Sequence, residues 1–469
     1  MLRVGFFTPV HSLDPEVVQD YVCGQIIEQL YDAPFTMGRN HEPVPLLFAG
    51  RLSRRAGLGG SVELTGTVRE DVRFSDGSPL RAEHVVESLR RVPSVAGKAR
   101  IDGLGQQVRF TLHEDDPRFE IRLSHRWASI VKREGDTLTG TGPFVVRPGW
   151  TPEHVVVDRN PYALRRAYID GVEFRVYPPS ADGRPDALKR AIASGEVDFT
   201  TALARDDVAE LKGVRKDFQP GISTATLSLN LEHPALGSLE VRRAIGEAID
   251  RAAVARVCYE NPHAFTARSV LPPSMWRRPD GMRHDPRRAR ERLLASGVHP
   301  GRPLRMLTIW GPRPYMPLPQ ETARVIAQQL DEIGLRVEIV PTGNSLDYRS
   351  RTAGGAYDMV LGGWIADTPD PLDFLDAMFG SQSIPNAQRP AAYANNLSRY
   401  RSDEMDAALD RYRREPAEGS LQAVMDLVTR DVPLVPLFYG PNIVVHGWHV
   451  GNVQLTAVGM PRLELIEIE

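Results

Sequence analysis

Apolar and polar residues alternate along this chain with two periods, and the period changes from segment to segment. Leu2–Phe7 reads as a strand, Leu13-Asp14-Pro15 as a turn, and Val17–Leu30 has apolar residues at helical spacing. Val62–Val68 and Val72–Phe74 are short alternating runs of the kind found in antiparallel strands. Asp76-Gly77-Ser78-Pro79 predicts a turn, Ala82–Arg91 a helix with an acid in its first turn, and Val108–Leu112 a strand. Gly140-Thr141-Gly142-Pro143-Phe144 breaks the chain. Val145-Val146 and Val155–Val157 then suggest a hairpin, and Val172–Tyr177 a further strand. Ala187–Ser194 is helical and ends at Gly195, with Val197-Asp198-Phe199 following as a strand.

Beyond Thr226–Leu231, a strand, and Leu239–Tyr259, a helical run, the rhythm becomes regular. Helix Pro286–Ser296 stops at Gly297 and strand Leu304–Ile309 follows. Helix Glu321–Ile333 is capped by Gly334, and strands Arg336–Val340 and Tyr357–Leu361 complete the series. Helices alternating with strands over 285–365 imply a mostly parallel sheet. Asp403–Arg411 and Leu421–Thr429 read as helices, and Val432–Tyr439 as an apolar strand punctuated by proline. No internal repeat, low-complexity tract or long linker interrupts the pattern.

Composition narrows the function classes. The chain has 469 residues, 42% hydrophobic and 25% charged, a globular balance long enough for two or three domains. A net charge of −3 gives no bulk electrostatic case for nucleic acid or an anionic membrane. The two cysteines, Cys23 and Cys258, lie in helix-like segments without CxxC or metal spacing and read as buried free thiols. The twelve histidines show no HExxH and no paired metal spacing, so no metal or other cofactor is expected. No apolar run approaches the ~18–20 residues of a membrane span. The opening Met1-Leu2-Arg3-Val4-Gly5-Phe6-Phe7 reads as a strand and not as the basic and apolar regions of a leader. If Met1 is the native start, the expected location is the cytoplasm.

The most informative stretch is Gly362-Gly363-Trp364-Ile365-Ala366-Asp367-Thr368-Pro369-Asp370-Pro371-Leu372-Asp373-Phe374, directly after the strand Tyr357–Leu361. Two glycines, an indole and several carboxylates then stand at the C-terminal edge of a strand, where α/β sheets bind ligands. The stretch holds neither a nucleophile nor a metal cage, and suits a ligand that is partly apolar and partly cationic.

Taken together, the segments Leu13-Asp14-Pro15, Gln29-Leu30-Tyr31-Asp32, Val72–Val85, Gly140–Phe144, Arg159-Asn160-Pro161-Tyr162, Gly195-Glu196-Val197-Asp198, Leu229-Asn230, Val241–Ile245, Ala248-Ile249-Asp250-Arg251 and Trp364-Ile365-Ala366-Asp367 resemble, in order, the family 5 solute-binding proteins of ABC importers, the oligopeptide-, dipeptide- and nickel-binding group. The resemblance implies a two-lobe α/β periplasmic-binding-protein fold. Lobe I would be residues 1–225 with a small subdomain near 40–150, lobe II 226–434, and 435–469 a return to lobe I. Two strands near Thr226–Leu231 and Val432–Tyr439 would cross from lobe to lobe. The interval from Arg91 to Gly140 is short for the family, which implies a reduced subdomain, and the family's usual export signal is missing. The implied function is an importer's receptor, a monomer that encloses a small peptide or peptide-like cation and meets permease subunits, outside the cytoplasm and without catalysis. A cytoplasmic enzyme or a ligand sensor on the same fold is the alternative.

The same resemblance nominates Asp367 as the partner of a ligand ammonium, because a carboxylate in a dry site pairs strongly with a cation. An Asx turn before Pro369 is its structural alternative. Trp364 would floor the pocket or pack in the core. Tyr439 and Asn442 follow the return strand and could face ligand, but core packing and turn formation are the readings favoured for them. Asn230 could bind ligand backbone or fix a hinge. Cys23 lies on the first helix near the expected site, with no adjacent base identifiable in the sequence. Asp370 and Asp373 read as a turn former and a helix start.

Overall fold

The computed structural model describes residues 1–17, 21–38, 42–57, 61–180, 184–203, 205–259, 265–278, 281–309, 313, 315–343, 345–366, 368–386, 395–456 and 458–469. The chain divides into two compact units, one of Met1–Phe218 with Ile443–Glu469 and one of Gln219–Asn442. Two strands carry the chain across this division, Arg215–Leu229 and Leu434–His446.

In the first unit, the strand Leu2–Phe6 buries Leu2, Val4 and Phe6 almost completely and pairs in parallel with both Gly171–Val176 and Phe199–Thr200. The hairpin expected around Val145 and Val155 is present as Phe144–Val146 against His154–Arg159, which continues antiparallel onto Gly171–Val176. Asp198 fixes the register. Its carboxylate accepts from Arg3 N at 2.8 Å and Arg3 Nε at 2.9 Å, so the start of one strand is tied to the start of the next. Helix Tyr21–Leu30 packs its apolar side on this core, and the Gly140-Thr141-Gly142 break passes directly over its end. A Cβ on Gly142 would lie 2.5 Å from the Leu30 carbonyl carbon, so only glycine fits.

A separate antiparallel sheet within this unit runs in the order Ser53–Ala56, Val62–Thr67, Gln107–Leu112, Ala99–Leu104. Helix Ala82–Arg90 covers it with Val85 and Leu89, over a core that includes Phe74, Phe110 and Phe119. The strand expected at Val72–Phe74 does not form. Only a single bridge joins Arg73 to Pro79, because Gly77 turns the chain at φ 84° and Pro79 has no N–H to continue a ladder.

The second unit is built on the Gln219–Leu229 part of its entry strand, paired antiparallel with Met359–Ile365. Leu304–Thr308 lies parallel to Met359–Ile365 on one side and to Val337–Pro341 on the other. The strands of the 285–365 stretch are therefore parallel as expected, with helices Pro319–Glu332 and Ser345–Ala353 as crossovers, while helix Pro286–Ala295 leads into strand Leu304–Thr308. Met359, Val360 and Leu361 are all fully buried, the mark of a strand covered on both faces. Asp358 repeats the device of Asp198, accepting from Arg305 N at 2.7 Å and from Arg302 at 2.6 and 2.9 Å. The helical run Leu239–Tyr259 is two helices, Leu239–Ala248 and Arg251–Cys258. Asp250 breaks it by capping the second helix, its carboxylate accepting from Ala252 N at 2.9 Å and Ala253 N at 3.1 Å. Both cysteines are buried thiols outside any disulfide.

Candidate functional site

The strand Met359–Ile365 enters as a core strand and leaves as a surface one: burial is complete through Gly362, partial at Gly363 and Trp364, and lost at Ile365. The diglycine lies where this change occurs. A Cβ on Gly363 would sit 2.3 Å from the Thr224 carbonyl oxygen and 2.7 Å from the Tyr315 ring, so the absence of a side chain lets an aromatic ring lie against the backbone. A Cβ on Gly362 would stand 3.4 Å from the Tyr348 hydroxyl. Trp364, Tyr315 and Tyr348 therefore surround the end of the strand with aromatic surface. Burial pushes the Tyr315 phenol up to about 12 and the Tyr348 phenol well above its usual range, so both are neutral hydrogen-bonding groups at physiological pH.

Trp364 is held in place from below. Its Nε1–H donates to Asp373 Oδ1 at 3.2 Å, and the other oxygen of Asp373 accepts from Thr368 N at 2.9 Å. Asp373 is on the first turn of helix Pro371–Phe379, where a carboxylate also meets the positive end of the helix dipole. Asp370 caps that helix, its side chain accepting from Leu372 N at 3.0 Å, and Pro371 takes the first helical position. The readings of Asp370 as turn former and of Asp373 as helix start describe these contacts, and Asp373 adds the indole anchor. Thr224 pairs with Trp364 across the ladder, and its buried hydroxyl has no hydrogen-bond partner among the described residues. Asn395 reaches the Gly363 carbonyl with its Nδ2 at 3.5 Å.

Asp367 is outside the described residues. Asn230 follows Leu229, which pairs with Met359, so it stands at the opposite end of the ladder from Trp364, roughly 20 Å away at the rise of an extended strand. Its amide is occupied, with Nδ2 donating to Tyr357 O at 2.9 Å and Oδ1 accepting from Glu232 N at 3.0 Å. The Tyr439 hydroxyl donates to Ser269 O at 3.2 Å and accepts from Ser269 N at 3.3 Å. Asn442 is the last residue of the second unit, and its Oδ1 would be 3.5 Å from a Cβ on Gly221. Cys23 is completely buried in the first unit, and a base does stand beside it: His11 Nδ1 is 3.5 Å from its sulfur. Twelve residues separate the two, with a turn between them, so no helical spacing announced the pair.

Tyr315, Tyr348, Thr224 and Asn395 escaped the sequence reading. A signal existed for Tyr315, which follows the strand Leu304–Thr308, the parallel neighbour of Met359–Ile365, and so must emerge at the same sheet edge. Among the described residues no group of three or more His, Cys, Asp or Glu side chains could hold a metal ion. The arrangement offers aromatic faces, approachable backbone and neutral hydroxyls, the equipment of a site that binds rather than one that transforms.

Comparison with known proteins agrees with this reading. Residues 62–386 match the model of the bacterial extracellular solute-binding proteins, family 5. The di/tripeptide-binding protein 1 of Pseudomonas aeruginosa strain UCBPP-PA14 is 25% identical over 378 residues, covering 72% of this chain and 65% of that protein. The match thus spans just under two thirds of that relative. The structure of HbpA2 from Haemophilus parasuis superposes with a TM-score of 0.82 at 20% identity, over 100% of this chain and 99% of that one. DppA from Helicobacter pylori, in complex with the peptide STSA, gives a TM-score of 0.73 at 23% identity, over 100% and 98%. These structures share the mixed α/β fold along its full length. No helix among the described residues is long and apolar enough to cross a membrane. The chain belongs to the bacterial extracellular solute-binding proteins of family 5, a family of non-enzymatic binding proteins.

Proposed function

We propose that this chain is the receptor subunit of an ABC importer and takes up a small peptide or peptide-like ligand with a cationic end. The observation that carries the reading is the end of the Met359–Ile365 strand, where Trp364 is locked by Asp373 against an aromatic, glycine-opened backbone. Asp367 follows three residues after Trp364, and the family resemblance assigns a carboxylate at this place to a ligand ammonium. The relatives named for di- and tripeptides support the ligand class. In this reading the two units are the two lobes, the four-stranded sheet of the first unit is the family's reduced subdomain, and ligand binding shifts the population toward a closed form that permease subunits recognise. The receptor acts outside the cytoplasm, as the family description implies.

The test is isothermal calorimetry of the full chain against a di- and tripeptide panel, repeated with N-acetylated peptides and with Asp367→Ala. Leaving a buried ammonium unpaired costs roughly 3–5 kcal/mol. Acetylation and Asp367→Ala should each weaken binding by well over a hundredfold. A loss below tenfold in the variant overturns the assignment of Asp367, and failure of every peptide to bind overturns the ligand class.

A further inference from the structure

The second unit buries a cation for which no counter-charge is in place among the described residues. Arg251 opens the helix Arg251–Cys258 and is 6% exposed. Its Nε donates to Pro436 O at 2.8 Å and its Nη1 to Met282 O at 2.9 Å, both neutral carbonyls. Its Nη2 is buried with no hydrogen-bond partner among the described residues. The neighbouring carboxylate, Asp250, is committed to the amides of Ala252 and Ala253. Burial, and after it the nearby cation Arg268, bring the guanidinium down to about 10 against the opposing pull of Asp250.

Arg251 and Arg268 line one cavity of about 40 Å³. Ser269 lines it too, and its hydroxyl oxygen accepts from Leu271 N at 3.3 Å, leaving the O–H to donate. Met282, Met425 and Val428 form apolar wall. Thr429 is also present, but its hydroxyl proton is spent on Met425 O at 2.9 Å. A guanidinium withdrawn from water beside a second guanidinium is costly unless an anion joins them. Arginine's fixed fork of donors suits that role better than lysine's point charge.

We propose that this cavity is a binding site for a small inorganic anion, chloride or a tetrahedral oxyanion, held by Arg251, Arg268 and the Ser269 hydroxyl. The volume admits no peptide. The site also lies away from the division between the units: Pro436 precedes Asn442 by six residues of the return strand, roughly 20 Å of extended chain. It is therefore independent of the solute site, and its occupant is a structural or regulatory ion that neutralises the arginine pair and tightens the packing of strand Leu434–His446 on helix Glu418–Asp431.

The full chain is titrated with sodium bromide and, separately, sodium selenate, with ionic strength held by gluconate, an anion too bulky for the cavity. Thermal unfolding and anomalous diffraction are the readouts. One of the two anions should raise the Tm saturably and give an anomalous peak within hydrogen-bond distance of Arg251 Nη2. Arg251→Gln also removes hydrogen bonds that hold the fold, so the decisive variant is Arg268→Gln. It should weaken the anion at least tenfold while raising the Tm in gluconate alone, because it removes one of two repelling charges. Ordered water alone at Nη2, or equal anion effects on wild type and Arg268→Gln, would overturn the proposal.

Discussion

Replacing Arg165 by methionine removes the cation at the centre of a buried acidic group in the first unit. Arg165 Nε donates to Asp32 Oδ1 at 2.8 Å, Nη1 to Glu464 Oε1 at 3.1 Å and Nη2 to the Glu28 carbonyl at 3.0 Å. The Asp32 and Glu464 side chains are each 1% exposed, so they cannot recover their hydration when the guanidinium goes. Partial substitutes remain: the Thr141 hydroxyl donates to Asp32 at 2.9 Å and Arg462 donates to Glu464 at 3.0 Å. Breaking one partner out of a buried pair costs about 3–5 kcal/mol, and the remaining donors place the expected loss near the lower bound, about 3 kcal/mol at pH 7. The pH dependence carries a definite sign. Burial works to raise the Glu464 carboxyl, but Arg165 and then Arg462 outweigh it and hold the carboxyl below its usual range. A group depressed in the folded state stabilises above its unfolded pKa, and that stability is lost as pH falls through the folded one. Without Arg165 the depression shrinks or reverses, and protonation relieves the variant where it harms the wild type. The gap in stability should therefore narrow from about 3 kcal/mol at pH 7 to under about 1.5 kcal/mol at pH 4. Urea titrations at the two pH values measure the gap. Hydrogen exchange over helix Tyr21–Leu30 confirms that the affected unit is the first. A loss below about 1 kcal/mol at pH 7, or equal losses at both pH values, would refute the argument.

Two further outcomes follow from side chains already placed. Asp373→Ala deprives the Trp364 indole and the Thr368 amide of their acceptor, so the second unit should lose about 1–3 kcal/mol and tryptophan emission should shift to the red. Asp373→Asn, which keeps one acceptor oxygen, should restore part of both, and an unchanged spectrum in Asp373→Ala would disprove the anchor. Cys23 and Cys258 are 0% exposed, so neither should react with Ellman's reagent in the native protein and both should react on unfolding. Rapid native labelling of Cys23 would show that its burial beside His11 is broken by opening of the first helix.

Local signals carried much of the secondary structure because they depend on near neighbours. The regular alternation over 285–365 gave the parallel strands and the crossover helix Pro319–Glu332, whereas Asp370, read as a turn former, is the cap of helix Pro371–Phe379. The same logic should have split Leu239–Tyr259, since Asp250 is a strong capping residue, but continuous apolar spacing concealed the break. The entry strand begins at Arg215, well before the expected Thr226, and hydropathy could not reveal it. Ser223, Thr224, Thr226 and Ser228 are all at most 5% exposed, polar residues in a buried strand whose backbone is satisfied by its neighbour in the sheet.

The amino-acid order by itself determined the α/β class, the order of the elements, the family and the position of the diglycine-tryptophan strand end, since each rests on spacing within a few turns of chain. Only the tertiary structure decided which side chains meet there. Tyr315 and Tyr348 approach Gly363 and Gly362 from other elements, and Asp373 turns back to hold Trp364. Only the fold set Cys23 against His11 and left Arg251 buried beside Arg268. These are contacts between residues distant in sequence, or across a turn, and their energies depend on burial, which no local window of sequence contains.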